Sequence, residues 1–133
     1  MKLEPIALDF EAFHRLGGYT IGLDTHGMPC TPTEGYVVGI PGPHAKTQTH
    51  APNFTNLVDQ LEAISRLAEK HAHKLYAGAW RDGDTWYLDI SECVPSESEA
   101  LKLASSRGEL AIWDVANQTE IRVNAWRQNE ILL

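Results

Sequence analysis

Basic residues are under-represented in this chain of 133 residues: 11 Lys and Arg stand against 18 Asp and Glu, a formal net charge of −7. A protein that grips a nucleic-acid duplex needs a basic face to displace counterions, so direct duplex binding is not expected. Long apolar runs are missing too, and no stretch approaches the roughly 20 residues a membrane-spanning helix needs. Cysteine is scarce. Cys30 and Cys93 lie far apart and outside any CxxC pattern, which reads as two reduced thiols and not as a disulfide framework. The opening Met1-Lys2-Leu3-Glu4-Pro5 has an acid and a proline where a secretory leader would start its apolar run. The expectation is a cytoplasmic protein without membrane contact.

The common enzyme signatures are also lacking. There is no GxGxxG, GxxxxGK[ST], GxSxG or HExxH. Gly39-Ile40-Pro41-Gly42-Pro43 is rich in glycine, but its prolines remove the backbone donors a phosphate cradle requires. Cys30, His44, His50, His71 and His73 match no compact metal-ligand spacing, and residues two apart on a helix diverge by about 200°, so His71 and His73 share a metal only if the helix has ended before them. No metal and no cofactor are expected, and the chain is read as a non-enzyme.

What is present describes one globular domain over residues 1–133, since 43% hydrophobic and 22% charged residues are ordinary for a folded chain of this length. Asp9 caps a short helix through about Leu16, closed by Gly17-Gly18. Tyr19, Ile21 and Leu23 alternate with polar or small residues as a strand, and Gly35–Ile40 forms a second, antiparallel to it. Pro41–Pro52 reads as a long loop. Apolar residues recur at helical spacing from Asn53 to His73, the strongest periodic signal in the chain. Two strands flanking Asp82-Gly83-Asp84 make a hairpin, because Asp-Gly accepts the positive φ of a tight turn. Ser96-x-x-Glu99 is a capping box, Arg107-Gly108 ends its helix, and residues 110–123 form a last hairpin. Asn53-Phe54-Thr55 and Asn117-Gln118-Thr119, which match the glycosylation pattern, read as a helix cap and a turn. The order is α-ββ-α-ββ-α-ββ, an α+β fold with an antiparallel sheet of hairpins and helices on one face. Each hairpin has an aspartate near the end of its first strand (Asp24, Asp82, Asp114), a rhythm read as chance. The apolar-ended tail 124–133 is expected to dock on its own domain or on a neighbouring subunit of a homo-oligomer.

Two features bear on function. The span Asp82–Glu99 holds six acids and no Lys or Arg. It is either a solvated hairpin and helix start or an acidic face, formed by Asp82, Asp84, Glu92, Glu97 and Glu99, that imitates a phosphate backbone or docks on a basic partner. Four tryptophans form the second feature, with Trp80 and Trp86 on facing strands of one hairpin, near enough to pair. They are core residues or a stacking platform. In the platform reading Tyr76, Trp80, Arg81, Tyr87 and Asp89, with His44, Lys46 and His50 from the long loop, form a ligand-binding set in which Arg81 pairs with phosphate.

Gly78, Trp80, Asp82, Tyr87, Asp89, Ile90 and Ser91, then Ala100-Leu101 and Ala111-Ile112-Trp113-Asp114, make up a pattern G-x-W-x-D…Y-x-D-I-S…A-I-W-D. With Gly17–Thr20 and Gly35–Gly39, this resembles small accessory proteins of bacteriophages and mobile elements, particularly of actinobacteria. Gly108-Glu109-Leu110 departs from that pattern, which has an amide before the strand. The resemblance implies an accessory role and brings no enzymatic activity with it; together with the small size, the acidity and the lack of catalytic signatures, it leads to the expectation of an anti-defence protein that acts by binding in a bacterial host cytoplasm. Its partner would be a small nucleotide signal, sequestered between subunits, or a bacterial defence protein occluded by the acidic face. Two alternatives stay open: a small hydrolase (nuclease or phosphodiesterase) using the loop histidines with Asp89, and a structural or regulatory oligomer.

Overall fold

A computed structural model describes Arg15 and residues 17–123. Eight strands form one antiparallel sheet: β1 (Gly18–Leu23), β2 (Pro29–Cys30), β3 (Tyr36–Ile40), β4 (Lys46–Gln48), β5 (Leu75–Asp82), β6 (Thr85–Val94), β7 (Ala111–Asp114) and β8 (Thr119–Arg122). Helix α1 (Phe54–Leu67) precedes β5 and α2 (Glu97–Arg107) follows β6. The spatial order is β2-β1-β5-β6-β3-β7-β8, with β4 also pairing with β6. The class is α+β. The first expected helix and the tail 124–133 lie outside the described residues, and among those described the order is four strands, helix, hairpin, helix, hairpin.

Strand alternation sorts the sheet into two faces. One face carries Tyr19 and Ile21 from β1, Ala77 and Ala79 from β5, and Trp86 and Leu88 from β6, packed beneath Leu57 of α1. Further along it, Val38, Val94 and Ile112 pack beneath Ala100, Leu101 and Ala104 of α2. Ile40, Ala63, Leu75 and Ile90 form a third cluster, against which Ile64 and Leu67 of α1 also pack. Both helices therefore cover one face, and the long β5–β6 hairpin, in register from Leu75–Glu92 to Asp82–Thr85, is the spine they rest on.

The caps explain the helix limits. Asn53 accepts from the Asn56 backbone N–H (3.1 Å) while Asn56 Oδ1 accepts from the Asn53 N–H (2.9 Å), a reciprocal box with an amide in place of the usual glutamate. The Asn56 side chain also exchanges hydrogen bonds with Gln48, tying β4 to α1. Ser96 caps α2, and Gly108 closes it in the left-handed region at φ 74°. The expected helix to His73 stops sooner. After Leu67 a single 3-10 turn runs over Ala68–Lys70 and His71 is extended, because Leu75, which continues the helical spacing, is the first residue of β5.

Two strand expectations change. The Gly35–Ile40 segment does not pair with β1, whose neighbours are β2 and β5. It lies between β6 and β7, a central position suited to the fully buried Val38. The Pro41–Pro52 segment contains β4, in register with Trp86–Leu88. Lys-Thr-Gln has no apolar alternation to reveal it. The aspartate rhythm has a local cause at two of its positions. Asp24 accepts from the His26 and Met28 N–H groups (2.8 and 2.9 Å), and Asp114 accepts from the Asn117 N–H and side-chain amide (3.2 and 2.8 Å). Both are turn-capping side chains. Cys30 and Cys93 are free thiols.

Candidate functional site

The second sheet face, opposite the helices, is concave: Thr20 of β1 and Val37 and Trp113 of β3 and β7, with Thr31, Pro32, Val115 and Gln118, line one cleft of about 230 Å3, and Trp80, Tyr87 and Asp89 lie on the same face outside that lining. Register sets its rows. Gly18, Trp80, Tyr87 and Thr47 form the outermost row, Thr20, Gly78 and Asp89 the next, and Tyr76, Ser91 and Gly39 the third. Glycines floor this face, and three of them lie directly under side chains. A Cβ at Gly78 would collide with Asp89 Oδ1, one at Gly39 with Glu109 Oε1, and one at Gly22 would come within 2.8 Å of the Tyr76 ring. Glycine in mid-strand costs stability but permits this close approach.

In the outermost row the Trp80 and Tyr87 rings stack with centroids 4.2 Å apart and planes 10° apart. Trp80 remains 48% exposed. Tyr87 covers one side of its indole, and the other flank belongs to Gly18, which has no side chain.

Asp89 occupies the middle of the next row. Its carboxyl is pushed up to about 6, first by burial and then by the Glu109 carboxylate, with His44 opposing the shift. Among the described residues none donates a hydrogen bond to that carboxyl. Its backbone, by contrast, is clamped from the helix side. Gln60 of α1, 3% exposed, donates to the carbonyls of both register partners, Gly78 (2.7 Å) and Asp89 (3.1 Å), and accepts from the Tyr19 hydroxyl (2.6 Å). Burial, aided by Asp89, holds the Tyr19 phenol above its ordinary range.

The expected ligand set divides between the two faces. Tyr76, Trp80, Tyr87 and Asp89 share the concave face. Arg81 does not: it is in register with Trp86 and its guanidinium lies over that indole at 5.6 Å, on the helix side. Lys46 is in register with Leu88, also on the helix side, and exposed. His44 Nε2 is 2.7 Å from the Ile40 carbonyl oxygen, and His50 is exposed. Trp80 and Trp86 do not pair. With Asp82 opposite Thr85 the register runs Arg81–Trp86 and Trp80–Tyr87, so the two indoles fall on opposite faces.

The acidic span divides as well. Asp82 and Asp84 are exposed at the β5–β6 turn, Glu97 and Glu99 are exposed in the first turn of α2, and the ten-residue β6 between them spans about 30 Å. Glu92 belongs to neither end. It is 2% exposed, bonded to Arg107, with His71 Nδ1 and His73 Nδ1 at 3.5 and 3.3 Å. The helix has ended before His71, so the two histidines do converge, but on a carboxylate already held by arginine. Among the described residues no group of His, Cys, Asp and Glu is arranged to hold a metal ion.

Sequence reasoning missed Glu109 and Gln60. Nothing in the linear order links Glu109 to Asp89, whereas the isolated glycine at 78 is a readable sign of close approach. Compared with known proteins, the chain matches no family model, no curated protein and no solved structure. No helix among the described residues is long and apolar enough to cross a membrane.

Proposed function

We propose that this protein acts by binding, taking a small flat ligand on the concave sheet face, and that it serves as a phage-type accessory protein that withdraws a nucleotide signal from a bacterial defence system. The observation that carries the reading is the half-exposed Trp80–Tyr87 stack standing one row from the carboxyl of Asp89, which accepts no hydrogen bond from the described residues. Aromatic rings with one open side and a few placed polar groups on a concave surface are the ordinary make-up of a small-molecule site. The setting comes from the resemblance of the Gly78–Asp114 pattern.

Occlusion of a defence protein by an acidic face is the weaker version, because the acids lie at the two ends of β6 with Glu92 buried between them. A hydrolase reading draws on one specific observation, the Asp89 proton retained to about 6 near His44. Native mass spectrometry of the purified protein with a panel of nucleosides and signalling nucleotides separates these readings. Binding predicts an unmodified adduct that Trp80→Ala abolishes. A changed ligand mass that persists in Trp80→Ala but is lost in Asp89→Asn would establish turnover. A chain that retains nothing would leave occlusion, tested by reversing Asp82 and Asp84 separately from Glu97 and Glu99 in a phage-plating assay.

A further inference from the structure

We infer that the site reads the donor-rich edge of a purine, with guanine as the base it fits, and that it holds a nucleotide by its base and not by its phosphates. This rests on the binding reading given above.

Three placements carry it. Trp80 is 48% exposed, with the Tyr87 ring stacked on one side of its indole and Gly18 as its register neighbour on the other strand, so a flat ring can stack on its uncovered part. A ring seated there lies over the Gly18–Thr20 side of the sheet, and its edge points along the Thr20–Gly78–Asp89 row. In that row the Asp89 carboxyl lies across Gly78 and accepts no hydrogen bond from the described residues, which leaves its acceptor capacity to a ligand. A carboxylate accepts two parallel N–H bonds, and guanine presents two adjacent donors, N1–H and the 2-amino group. Adenine has one donor group beside an acceptor on the equivalent edge, and that acceptor would face a carboxylate oxygen. Charge weighs against the opposite orientation, since Lys74, a cation on this face, lies over the Tyr76 ring and is hydrogen-bonded to Cys30, a row away from Asp89. A phosphate directed inward would meet Asp89 and Glu109 together, while Arg81 and Lys46 stand on the helix side.

Isothermal titration calorimetry of the full chain at pH 8 with guanosine, inosine, adenosine and guanosine monophosphate tests the inference. Guanosine should bind, inosine should lose about tenfold with the 2-amino group, and adenosine should lose at least as much. The monophosphate should bind no tighter than guanosine. Asp89→Asn, which presents an amide donor to the base, should cost guanosine about tenfold or more, and the guanosine affinity of the wild type should rise as the pH is raised through about 6. Equal binding of guanosine and adenosine, both abolished by Trp80→Ala, would overturn the edge reading and leave the platform standing. A tighter monophosphate would overturn the base-first orientation. Failure of every purine to bind, with another flat ligand retained in native mass spectrometry, would reject the inference alone. Failure of all ligands would reject the binding reading with it.

Discussion

The carboxyl of Asp89 lies across the backbone of Gly78, its register partner on β5, where any Cβ would collide with Oδ1. That contact places an acid on a sheet face without supplying it a hydrogen-bond donor. The cost is electrostatic, and it leads to the first prediction.

Asp89→Asn should stabilise the protein at neutral pH. The folded-state pKa, raised from 3.8 to about 6, means the native state holds the proton more tightly than the unfolded chain. The contribution of Asp89 to stability is therefore fully present below about pH 4, is lost as the pH rises from about 4 to 6, and stays lost above that. The lost amount is up to about 3 kcal/mol for a shift of this size. Urea unfolding of wild type and variant from pH 3.5 to 8 checks this: the gain should appear above pH 6 and vanish near pH 4.

Gln60→Leu should destabilise by about 1–3 kcal/mol, because it removes the buried amide that bonds the Gly78 and Asp89 carbonyls and accepts from the Tyr19 hydroxyl. Helix content by circular dichroism should be unchanged, since leucine is as good a helix former as glutamine. A loss below about 0.5 kcal/mol would show that the clamp contributes little.

Gly78→Ala should displace the Asp89 carboxyl and bring its titration, followed by carboxyl-carbon NMR, back toward the ordinary carboxylate range. The overpacking cost, about 1–3 kcal/mol, should show near pH 4 and be offset above pH 6 as the displaced carboxylate regains water.

Glu92→Ala should cost about 3 kcal/mol by removing the buried carboxylate that pairs with the part-buried Arg107, which among the described residues keeps only its bond to the Gly39 carbonyl. Reversing the charges of Asp82 and Asp84, exposed at the turn, should change stability by no more than about 0.5 kcal/mol. Thermal unfolding distinguishes the two, and similar losses would mean that Glu92 is not the buried hub described above.

Local signals were readable to the extent that they act locally. The start of α1, the Asn53 and Ser96 caps, the Asp-Gly turn and the 110–123 hairpin appear where the residues put them, whereas α1 ends at Leu67, short of the expected His73. β4 was hidden because three polar residues carry no period, and the neighbours of β3 because a strand's partners are set by tertiary packing. The opposite facing of Trp80 and Trp86 was readable, since a two-residue turn fixes the pairing and a slip of one inverts every side chain. Half of the site was legible in the same sense: Tyr76, Trp80, Tyr87 and Asp89 alternate along one hairpin. Glu109 was not, because only the packing of α2 beside β3 brings it over Gly39.

Amide chemical-shift mapping by NMR during a guanosine titration tests the central claim most directly. The account predicts shifts concentrated at Gly18, Thr20, Gly78, Trp80 and Tyr87–Ser91, with α1, α2 and the Asp82–Asp84 turn nearly still. Shifts confined to the turn and the first turn of α2, or spread over the helix side around Arg81 and Lys46, would contradict it.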